Sequence, residues 1–126
     1  MDVHTIEIPR PEWTSALNAF STVHEGWLVS VEVLAAGLGA QPEAVNLPLV
    51  AVTRGPSDGA AVAITVGRAA GERLTHVIQA PQYVSIERTA AGADVALAID
   101  SADGARTIVR FRTAALPETV DGISRR

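Results

Sequence analysis

Three histidines, His4, His24 and His76, are the side chains best suited to metal ligation or to proton transfer near neutral pH. With Glu25, Glu32 or Glu87 they could form a mixed imidazole–carboxylate site. They stand in three separate segments, and no spacing along the chain forces them together. His24-Glu25 has no second histidine four residues after the first, so the zinc-protease helix is excluded. Cysteine is absent, which removes thiolate metal sites, disulfides and a thiol nucleophile. Lysine is absent too, and with it the phosphate loop that needs one. Gly37-Leu38-Gly39 lacks the third glycine of a dinucleotide turn, and Asp100–Gly104 lacks the alternating oxygen ligands of a calcium loop. No serine sits in a nucleophile elbow. No cofactor, metal site or catalytic residue is implied.

Each histidine also has a structural reading. His76 alternates in phase with Leu74 and Ile78, which predicts a buried, hydrogen-bonded core histidine. His24 falls at a helix end, where it is expected to bond the last carbonyls or pack beneath the helix. Trp13 and Trp27 flank that helix as anchors against a sheet. The competing reading gathers His24, Glu25, Trp27 and His76 at the mouth of a pocket between helix and sheet.

The elements that must position these groups follow from periodicity. Trp13, Ala16, Leu17, Phe20 and His24 fall at helical spacing after Pro11, and Gly26 supplies a stop. From Trp27 the period changes to two, giving a strand to Leu34. Residues 36–46 hold Gly37, Gly39 and Pro42 and read as a loop. Leu47–Arg54 and Ala61–Arg68 flank a turn cluster at 55–59 as a hairpin. Pro81 is expected to interrupt a strand that begins at Arg73 and resumes at Tyr83.

A turn at Ala91-Gly92 pairs Ile86 with Leu97, and a three-residue loop with left-handed Gly104 pairs Leu97 with Val109 and Val95 with Phe111. The core face is then Val84, Ile86, Val95, Leu97, Ile99, Val109 and Phe111. The opposite face places Tyr83, Glu87, Asp94, Asp100, Arg106, Arg110 and Arg112 over Ala96 and Ala98, with Asp94 beside Arg112 and Asp100 beside Arg106. Such a face is a solvated set of ion pairs or, over its small floor, an interface for a protein partner or a second copy. The expected fold is α+β. One N-terminal amphipathic helix packs on a strongly twisted, mainly antiparallel meander of six or seven strands, able to curl into a partly open barrel. Residues 1–112 form one domain and 113–126 a loosely ordered tail.

A length of 126 residues fits a single domain. The formal charge of -4 speaks against nucleic acid as a partner. No apolar run reaches membrane-spanning length, and the first residues do not form a secretory signal, so the expected location is cytoplasmic.

Several segments together, IPRPEW (Ile8–Trp13), HEGWLVSVEVL (His24–Leu34), GAQPEAVNLPL (Gly39–Leu49), LTHVI (Leu74–Ile78) and GADVALAIDSADGARTIVRFR (Gly92–Arg112), run in one order. In that order they resemble a family of small bacterial proteins known only as a domain of unknown function. The resemblance implies one compact bacterial domain and brings no activity, cofactor or site residue with it. In that family's pattern a carboxylate is common where Ala98 stands here. The expected function is a non-enzymatic accessory or binding module that works through protein contacts or self-association. The alternative is a small enzyme or ligand carrier with a pocket between helix and sheet.

Overall fold

Pro9 ends the first strand and Pro11 sits where a helix start tolerates a missing N–H, so the chain turns sharply into its helix. The computed structural model describes residues 3–35, 37–55, 60–68 and 71–115. Strand β1 (Val3–Ile8) leads through a 3₁₀ turn (Arg10–Glu12) into α1 (Trp13–His24). Then come β2 (Leu28–Ala35), β3 (Gly39–Arg54), β4 (Val62–Gly67), β5 (Arg73–Ile78), β6 (Pro81–Thr89), β7 (Asp94–Ser101) and β8 (Arg106–Ala115).

The eight strands form one sheet in the order β1-β6-β7-β8-β2-β3-β4-β5, with every neighbouring pair antiparallel. Two meanders, β2–β5 and β6–β8, are joined where β8 pairs with β2. β1 and β5 end the sheet, so the barrel stays open. Every strand gives residues to one core, into which α1 inserts Trp13, Leu17 and Phe20. Ser21 ties the helix to β3, accepting the Val52 N–H at 2.7 Å. No described helix is long and apolar enough to cross a membrane.

Three expectations are corrected. The described residues form eight strands, because the segments on either side of Pro81 are not one interrupted strand: Ala80 adopts a left-handed φ of 49° and the chain crosses from one end of the sheet towards the other. The stretch read as a loop over 36–46 is mostly strand, since β3 begins at Gly39 and Gly37-Leu38 is the hairpin turn. Pro42 is tolerated there because β4 pairs with β3 only from Leu49 onward, leaving that side of residues 39–46 without a ladder. Finally, β8 runs to Ala115, past the boundary expected at Arg112; residues 116–126, most of the expected tail, lie outside the described residues.

Candidate functional site

The register of β7 decides what its first residue can do. From Ala96 to Asp100 the strand pairs as its sequence predicts, with Leu97 opposite Ile86 and Val109 and Asp100 opposite Arg106. Gly104 is left-handed at φ 92°. Below Ala96 the ladder slips: Glu87 faces Ala96, but Arg88 faces Asp94, and on the other side Asp94 lies opposite Ala115. This extra residue is a β-bulge, and a one-residue slip exchanges the faces of a strand. Val95 therefore packs outward with Ala96, Ala98 and Ile108, while Asp94 turns in beneath the helix end. The expected Val95–Phe111 and Asp94–Arg112 pairs are not formed.

Asp94 meets two donors there. His24 Nε2 lies 3.1 Å from its Oδ2, and Arg88 Nε donates to its Oδ1 at 2.7 Å. The other ring nitrogen of His24, Nδ1, donates to the carbonyl of Phe20 at 2.8 Å. Both nitrogens thus face acceptors, and both bonds form to an ionised Asp94 only when the ring holds two protons. Phe20, Trp27 and Phe111 wall the imidazole, with ring centroids 4.5, 4.5 and 4.6 Å away. Burial pushes the Asp94 carboxyl up, but the hydrogen bonds from His24 and then Arg88 outweigh it and hold the group below its ordinary 3.8.

This cluster closes one end of a cleft of about 410 Å³ between α1 and the inner face of β1 and β6. The helix contributes Ala16, Ala19, Phe20 and Val23, and the sheet contributes Ile6, Ile8 and Ile86. Small alanines on the helix leave the space open, and Ile6 and Val23 stay 43% and 49% exposed along it. Trp13 Nε1 donates to the carbonyl of Ile8 at 2.8 Å, fixing the end of β1 against the helix. The Arg10 guanidinium lies 4.3 Å above the same indole and reaches the Pro81 carbonyl at 3.2 Å.

The expected pocket residues do not converge. His24 and Trp27 touch, but Glu25 is exposed beyond the helix end. His76 is not a core residue: on end strand β5 it is half-buried and lines a separate cavity of about 190 Å³ with Val33, Asp103 and Thr107. His4 is exposed on β1, opposite Arg88. Among the described residues no three His, Asp or Glu side chains are grouped to hold a metal ion. On the outer face, Tyr83, Glu87, Asp100, Arg106 and Arg110 keep the predicted rows. Arg106 grips Asp100 through two bonds of 2.6 and 3.0 Å, and Arg110 approaches Glu32 at 3.8 Å. Arg112 is exposed, and Asp94 has left this face altogether. Arg88 was missed by sequence reasoning, although it continues the core stripe Val84–Ile86 at the same alternation. A charge in phase with a core stripe was the available signal.

An open antiparallel sheet with one helix laid across it, and a cleft between them ending at the His24–Asp94–Arg88 cluster, defines a small α+β domain. The chain belongs to the family of unknown function DUF5335, which matches residues 4–119. No curated protein and no solved structure matches the chain.

Proposed function

We propose that the protein is a binding module without catalytic chemistry of its own, and that a small apolar molecule occupies the cleft between α1 and the β1–β6 face. The observation that supports this reading is the cleft itself, preformed at about 410 Å³ and walled by Ile6, Ile8, Ala16, Ala19, Phe20 and Ile86. Catalysis is disfavoured by the engagement of His24, whose two nitrogens are both spent on protein acceptors, leaving none to exchange a proton with a guest. Titration of the protein with 1-decanol, followed by amide NMR, tests the proposal. Shifts should concentrate at Ile6, Ala16, Ala19 and Ile86, and Ala19→Trp, at an exposed helix position, should abolish them by filling the space. Absence of binding, or binding indifferent to that indole, would refute it.

A second reading rests on the outer face, where Tyr83 is 54% exposed beside the Asp100–Arg106 pair. There another protein, or a second copy, would dock. Light scattering over a concentration series is the check, and a strict monomer would count against self-association.

A further inference from the structure

We infer that the molecule taken up by the cleft is an amphiphilic monocarboxylate, with its apolar body along α1 and its carboxylate on Arg88; this rests on the cleft being the ligand site. The head group follows from the donor left over at that end of the cleft. Asp94 is already engaged by His24 and by Arg88 Nε, so the rest of the Arg88 guanidinium, which lines the cleft, is the cationic group that faces a guest. A permanently ionised guanidinium beside an apolar cavity favours a guest of opposite sign. Arg88 is also the member placed to meet it. Its Nε is committed to Asp94, its side chain is 42% exposed, and its terminal nitrogens have no acceptor among the described residues. A guanidinium held by Nε presents its remaining edge as a fixed fork, the geometry that receives a carboxylate through paired bonds.

The acidic residues lining the cleft do not reverse this. Glu7 alternates with Ile6 and Ile8, so its side chain leaves from the other face of β1. Glu12 precedes α1 and stands about 18 Å along the helix axis from His24. It therefore sets a direction, with the anion favoured at the Arg88 end. At roughly 30 Å³ for each water-sized group, the cleft has room for roughly a dozen non-hydrogen atoms. Decanoate is a probe of that size.

Calorimetric titration with decanoate, 1-decanol and decyltrimethylammonium, at matched ionic strength, provides the test. Decanoate should bind about tenfold tighter than the alcohol and the ammonium probe weakest of the three, with the Arg88 Nε–H resonance moving only for decanoate. Arg88→Gln should erase the preference while leaving 1-decanol binding in place, and Arg88→Lys should keep part of it. Equal or stronger binding of the alcohol overturns the head-group assignment and leaves the cleft as the site. If none of the three binds, both readings fall.

Discussion

β7 bears an aspartate at its first residue, Asp94, and another near its far end, Asp100, and each meets an arginine on a neighbouring strand, yet the two pairs sit in different solvents. Arg106 takes Asp100 in a two-pronged grip on a face open to water, with the two side chains 48% and 29% exposed. That grip, offset in part by desolvation, holds the guanidinium above its already high ordinary value. Asp94 is 12% exposed, shares its charge between His24 and Arg88, and lies against an aromatic wall. Water can replace what Asp100 offers, whereas nothing else described here can replace Asp94 for the buried ring of His24. The same residue type thus serves as surface decoration at one end of a strand and as a fixed charge at the other.

The largest effect that would sharpen this contrast is expected from Asp94→Ala. It strands His24, 4% exposed, and frees Arg88, and should cost about 3 kcal/mol in urea unfolding, within the range for breaking a buried pair. A loss under about 1 kcal/mol would erase the distinction between the two ends.

Acid should give the next largest effect. The folded Asp94 carboxyl lies below its unfolded value of 3.8, so between the two the unfolded chain binds more protons. Its stabilisation is complete above about pH 4 and drains away as pH falls through the folded value. Unfolding midpoints should therefore drop more steeply below about pH 4 in the wild type than in Asp94→Asn. Parallel curves would show that Asp94 is not the group responsible.

The smallest change belongs to Asp100→Ala, expected to cost less than about 0.5 kcal/mol and to shrink further in salt. A cost equal to that of Asp94→Ala would break the comparison from the other side.

Much of this architecture is legible in the residues. The α1 stripe, the turn at Gly92, left-handed Gly104 and the pairing of Leu97 with Ile86 and Val109 all follow from local spacing. What escapes is whatever depends on one strand meeting a distant one. Nothing near Pro81 says that Arg73–Ile78 and Pro81–Thr89 belong to opposite flanks of the sheet, because the choice is made by partners elsewhere in the chain. Val95 and Asp94 read as core and surface under strict alternation. The bulge swaps them, because an inward Asp94 gains His24 and Arg88 while an outward Val95 still finds Ala96 and Ile108. Of the three members of the cluster, His24 is legible as a helix-end histidine, Asp94 is assigned to the wrong side, and Arg88 goes unread.

The seam between β8 and β2 has a kinetic consequence. It aligns Phe111 with Val29, about eighty positions earlier, so the two meanders can zip locally yet must wait for a long loop to close before the core is sealed. Stopped-flow refolding should accordingly be slow for a chain of this length, and Val109→Ala, on that seam, should accelerate unfolding more than it retards folding if the seam closes after the rate-limiting barrier.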